Sequence, residues 1–175
     1  MSLLRFLGLE DVKRKANVEE TDTVRRIAEA LDRMEPERAR YISGFAYVLS
    51  RVARADLHIS EIESREMERI VAGHGGLPEA QAILVVQIAK TQQKLWGSTE
   101  DFLVTREFNK MATREQKLEL LDCLFAVAAA DDLVSGAEDD AIRQVARELT
   151  LEHPDFIAVR SHYREFLAVL KKPVE

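Results

Sequence analysis

Two short acidic segments hold the residues whose types and spacing could do chemistry. The first runs Asp56-Leu57-His58-Ile59-Ser60-Glu61-Ile62-Glu63 and the second Asp131-Asp132-Leu133-Val134-Ser135-Gly136-Ala137-Glu138. Carboxylates gathered in a turn are the ligands that hard divalent cations prefer, so the cofactor these segments could take is calcium or magnesium. The candidate metal ligands are Asp56, Glu63, Asp131, Asp132 and Glu138. His58 could add a nitrogen to the first turn. The spacing is not that of an EF-hand loop, which needs acidic ligands on alternate residues, a central Gly and a distal Glu.

Helix capping explains part of the pattern without any metal. In Ser60-x-x-Glu63 and Ser135-x-x-Glu138 the hydroxyl and the carboxylate would each satisfy a backbone donor that a new helix leaves open. Glu61, Asp139 and Asp140 would sit near helix N-termini, where the dipole favours an anion by roughly 0.3 to 1 kcal/mol each. Asp56 and Asp131 fall instead at the end of the preceding helix, where the dipole disfavours one. Two compensations are open: an Asx-type hydrogen bond to loop N–H groups, or a bound cation. Adjacent Asp131 and Asp132 repel one another unless something positive lies close, which makes the second turn the better cation candidate.

The elements that must position these turns are helices. Strand signals are nearly absent, while apolar residues recur at helical spacing in every long segment. A first helix is expected over 23–33 behind Asp22 as its cap, and a second from Pro36 to about Ala55. The second buries Ile42, Phe45, Ala46, Leu49, Val52 and Ala53. Others are expected over 60–73, from Pro78 to about Trp96, over 98–111, and from the capping box Thr113-x-x-Gln116 onward. Gly75 and Gly76 supply a left-handed stop.

The acidic segments belong to an internal duplication at a constant offset of 75 residues, which pairs Leu49 with Leu124, Met67 with Ile142 and Ile70 with Val145. Pro78 pairs with Pro154 after a one-residue slip. A repeat that keeps cap, buried face and restarting proline implies duplicated supersecondary units. The expected fold is therefore all-α: a compact bundle of about seven or eight helices, built from two three-helix repeats related by a pseudo-twofold axis. An arm and first helix would occupy 1–35 and the helical domain 36–175, with repeats over 36–96 and 113–170 and a connecting helix over 99–111.

Composition bounds the partners. The chain has 175 residues, 46% of them apolar, which is enough to bury a core. With 25 basic and 31 acidic residues it carries a net charge of -6, which argues against a nucleic-acid partner. The helices around Gln81, Val85, Gln87 and Lys90 likewise lack the cations a DNA-reading helix needs. Cys123 is the single cysteine, so an intrachain disulfide and a cysteine-rich zinc site are both excluded, and a reducing cytoplasm is the expected setting. No apolar run approaches the roughly 20 residues that span a bilayer, and a signal peptide is not expected. Met1 to Lys15, with Leu3, Leu4, Phe6, Leu7 and Leu9 ahead of Lys13, Arg14 and Lys15, could lie on the inner face of a membrane as an interfacial helix.

The repeated Ala-Asp-x-x-(apolar)-Ser-x-x-Glu signature within paired helices, over roughly Pro36 to Leu170, resembles the TerB-like family of bacterial tellurite-resistance proteins. That domain also occurs at the N-terminus of certain membrane-bound DnaJ-like co-chaperones. The resemblance implies a compact all-helical domain, a link to stress or tellurite, suspected divalent-cation binding at Asp56, Glu63, Asp131 and Glu138, and no established reaction. Family members commonly have Gly after the turn aspartate, where this chain has Leu57 and Asp132; Asp tolerates a left-handed backbone far better than Leu.

The reading that follows is a non-enzymatic cytoplasmic module that recognises another protein, tuned by a cation at the acidic turns. No Ser-His-Asp order, Gly-rich phosphate loop or HExxH motif is present, so no catalytic residue is expected. The competing readings are a metal-assisted hydrolase built on the turn carboxylates and a membrane-surface adaptor built on the arm. Cys123 reads as core, His74 as a helix C-terminal residue, Trp96 as a packing anchor or partner contact, and His153 and His162 show no ligand pattern.

Overall fold

The computed structural model describes residues 18–53, 61–93 and 101–171. Eight α-helices lie within them: α1 (Val18–Asp32), α2 (Pro36–Ala53), α3 (Glu61–His74), α4 (Glu79–Gln93), α5 (Asp101–Met111), α6 (Arg114–Ala128), α7 (Gly136–Glu148) and α8 (His153–Ser161). Two 3-10 turns, Arg164–Phe166 and Ala168–Leu170, close the described chain. The all-α expectation holds. Extended pairing among the described residues is limited to one isolated parallel bridge between Val134 and Leu167.

Two apolar helices form the centre. On α2, Ile42, Phe45, Ala46, Val48 and Leu49 are fully buried, and on α6 so are Leu120, Leu121, Cys123, Leu124 and Phe125. The repeat register is visible in this core, since Leu49 and Leu124 are both sealed, and Met67 and Ile142 both buried. Packing across the copies is reciprocal: α3, which follows the first turn, lies on α6, while α7, which follows the second, lies on α2. Each copy's last helix returns to its own centre, α4 on α2 and α8 on α6. This exchange of helices is what a pseudo-twofold arrangement requires, because no three-helix unit covers its own apolar face. Helix α1 covers α4, and α5 wedges between α2 and α7.

Several boundaries differ from expectation. Helix α1 runs through Asp22, so Asp22 lies inside it and is not its cap; its carboxylate pairs with Arg25 at 3.0 Å instead. The left-handed stop after α3 falls on Gly76 (φ 60). A Cβ there would also meet the Glu119 carboxylate at 2.6 Å, so glycine is needed on two counts. Helix α8 has 9 residues against 15 for α4, and the second copy finishes in 3-10 turns rather than a full-length third helix. Within the described residues no helix is long and apolar enough to cross a membrane. Trp96, Ser98 and the arm from Met1 to Lys15 lie outside those residues.

Candidate functional site

The second acidic turn joins the end of α6 to the start of α7. After Ala128 the chain tightens, with Ala130 N–H donating to Val127 O (3.2 Å) and Asp132 N–H to Ala129 O (3.0 Å). Asp132 then takes a left-handed backbone (φ 64), which its residue type adopts at less cost than most side chains. One Asp131 carboxylate oxygen accepts from Leu133 N–H at 3.3 Å, the two-residue reach of an Asx turn. The compensation for an aspartate at a helix C-terminus is therefore at least partly a local hydrogen bond. A second one comes from far along the chain: Lys171 Nζ donates to the Asp132 carbonyl at 2.9 Å. Both aspartates are exposed.

The start of α7 is a complete capping box. Ser135 Oγ accepts from Glu138 N–H (3.2 Å), while Glu138 Oε2 accepts from both Ser135 N–H (2.8 Å) and Ser135 Oγ–H (2.7 Å). The Glu138 carboxylate is thus committed to starting the helix. Thr113 and Gln116 make the same box at α6. Of the other candidate ligands, Asp56, with His58 and Ser60, lies outside the described residues, as does the side chain of Glu63. Among the described residues no group of three or more His, Cys, Asp and Glu side chains is placed to hold a metal.

Beside the turn lies an apolar surface. Val134 N–H donates to Phe166 O (2.8 Å) and Ala168 N–H to Val134 O (2.9 Å), which lashes the closing 3-10 turns to the acidic segment. Leu133, Val169 and Leu170 are thereby gathered at 42%, 59% and 50% exposure, alongside Asp131 and Asp132. The period of a helix does not reveal this grouping, because none of the three is helical in the α sense and the partners are more than thirty residues apart.

A polar cluster elsewhere was not visible in the sequence. Asp122 on α6 accepts from Tyr163 Oη–H (2.9 Å) and meets His74 Nδ1 at 2.7 Å, with His162 Nδ1 at 4.0 Å, so the end of α3 is tied to α6 and to the end of α8. Burial, then the hydrogen bond to Asp122, pushes the Tyr163 phenol well up, so it stays a donor. Cys123 beside it is sealed, and burial likewise drives its thiol far above the usual range, which removes it as a nucleophile at neutral pH.

Comparison with curated proteins and with solved structures gives no match. The family model described as tellurite resistance protein TerB matches residues 42–161, most of the chain and both copies of the repeat. The chain belongs to the TerB family.

Proposed function

We propose that this tellurite-resistance-related module is a non-enzymatic, cytoplasmic protein-binding domain whose docking face is the second acidic turn with the apolar residues beside it. One observation carries the reading: backbone hydrogen bonds of Val134 tie the segment that carries exposed Val169 and Leu170 to the acidic turn, where Leu133, Asp131 and Asp132 are exposed as well. Apolar side chains rimmed by charge are the composition of a protein interface, in which the apolar residues supply the energy and the charges the selectivity. The matching partner surface is apolar with a basic rim.

A divalent cation tunes this face. With Glu138 engaged by Ser135, the ligands left are the free oxygens of Asp131 and Asp132, turn carbonyls and water, so the affinity for calcium is weak, roughly millimolar. Titration of calcium and magnesium into metal-free protein, followed by amide NMR, is expected to give saturable shifts over residues 129–138. Their absence at millimolar metal sinks the cation component. For docking, the double substitution Leu133→Ser and Val169→Ser is expected to abolish partner capture from the native cell while leaving thermal stability nearly unchanged, since both side chains are already exposed. Undiminished capture of the same partners would remove this face as the docking site.

A further inference from the structure

At the other end of α6 from the acidic turn, the beginning of α2, the end of α5 and the beginning of α6 border an open cleft of about 610 Å³. Its lining includes Glu35, Glu37, Arg38, Arg40, Tyr41 and Lys110. Two of these residues have unmet chemistry. Arg38 is half-buried and fixed in place: its Nε and Nη2 both donate to Gln81 Oε1, the former at 2.9 Å, and its guanidinium lies over the Tyr41 ring, 5.0 Å from the centroid. Gln81 is neutral, and no carboxylate pairs with Arg38 among the described residues, so a rigid, partly desolvated cation faces the cleft without a counterion.

Tyr41 is the second. It is only 5% exposed and stacks on Phe108 with ring centroids 5.3 Å apart, yet its hydroxyl has no hydrogen-bond partner among the described residues. The one sealed side-chain polar atom without a partner among those residues is Arg143 Nε, so the Tyr41 hydroxyl is not sealed and opens on the cleft that the residue lines. Burial, then the charge of Glu119, raises this phenol to about 12, which keeps it protonated and a donor. Arg40 is exposed and likewise has no ion-pair partner among the described residues, and Lys110 reaches Glu107 at 2.7 Å from a mostly exposed position.

We propose that the cleft binds a small molecule through an oxyanion, a carboxylate or a phosphate group, held by Arg38, Arg40, Lys110 and the Tyr41 hydroxyl. Lys110 is shared with Glu107 and the Glu119 charge reaches Tyr41, but Arg38 and Arg40 have no carboxylate partner among the described residues, so the lining favours a weakly charged anion. Glu35 and Glu37 limit how much negative charge the ligand carries and favour one with a single oxyanion over a polyanion. The cleft shares no residue with the acidic turn, so failure at one site leaves the other standing.

The test is amide NMR on the full chain at constant ionic strength, with inorganic phosphate in one arm and acetate in the other. Saturable shifts confined to residues 35–41 and 110–116 are expected in at least one arm, and the arm that responds names the oxyanion. Tyr41→Phe removes only the hydroxyl and is expected to weaken binding roughly tenfold, the size of one hydrogen bond to a charged group. Arg40→Gln, on an exposed side chain whose loss does not threaten folding, is expected to weaken it several-fold, and Glu37→Gln to strengthen it. Shifts that never saturate in either arm, or an affinity untouched by Arg40→Gln, would overturn the proposal.

Discussion

Asp139 lies in the first turns of α7 and is 3% exposed. Its two oxygens accept from Arg160 Nε (2.8 Å) and Nη2 (2.7 Å) on α8, and Arg143 Nη2 approaches at 3.6 Å. The Asp139 hydrogen bonds raise the Arg160 pKa still further, so the guanidinium stays charged at any working pH. By position alone Asp139 reads as a dipole partner, equivalent to Asp140 next to it; burial and a bidentate arginine make it structural. Asp139→Asn is expected to cost about 3 kcal/mol, because it leaves Arg160 partly buried without its counterion, and urea unfolding measures the loss. Asp131 and Glu138 were more legible, since an Asx turn and a capping box are local patterns in which both partners lie within three residues.

At the scale of elements, α2 owes its central place to one close approach as much as to its apolar stripe. A Cβ on Gly44 would stand 2.7 Å from Cδ2 of Phe108, so only glycine lets α5 lie this near. Phe108 is itself fully buried and stacked on Tyr41, and so cannot simply swing away. Gly44→Ala is expected to lower stability by about 1–3 kcal/mol through overpacking, read as a drop in thermal midpoint. The same change would press on Phe108, which stacks on Tyr41 of the proposed oxyanion cleft. Helix existence and type were readable because period and caps are written in contiguous residues, as Thr113 with Gln116 shows. That Asp22 lies inside α1 and that the third helix of the second copy is short were not, because propensity places an end only loosely and tertiary packing decides it.

Across the whole molecule the two copies are locked by charge as well as by apolar contact. Arg51 on α2 donates to Glu148 Oε2 on α7 (2.5 Å) and to Thr105 Oγ1 on α5 (2.6 Å), and Gln144 Nε2 adds a bond to Glu148 Oε1 (3.1 Å). Burial pushes the Glu148 carboxyl up, but hydrogen bonds from Arg51, Gln144 and Thr105 outweigh it and hold the group below the usual glutamate range. A folded pKa below the unfolded one means that this contribution is complete above the ordinary value of 4.5 and is lost as pH falls through the lower folded value. Glu148→Gln is therefore expected to lower stability by about 3 kcal/mol at pH 7, with the gap to the parent closing in acid; unfolding midpoints followed from neutral pH down to about 3 check it.

What the sequence by itself determined was whatever neighbours in the chain decide: helices, caps, the duplication at an offset of 75 and the membership it foreshadowed, all within the reach of hydrogen bonds and apolar periodicity. Only the tertiary structure decided which charges are buried, that Lys171 reaches the Asp132 carbonyl, that Val134 pairs with the segment leading into Val169 and Leu170, and that Arg38 and Tyr41 share a cleft with Lys110. Those pairings join residues tens of positions apart. They depend on how helices of two copies cross, and crossing is set by the shape of the packed core, to which no local pattern refers.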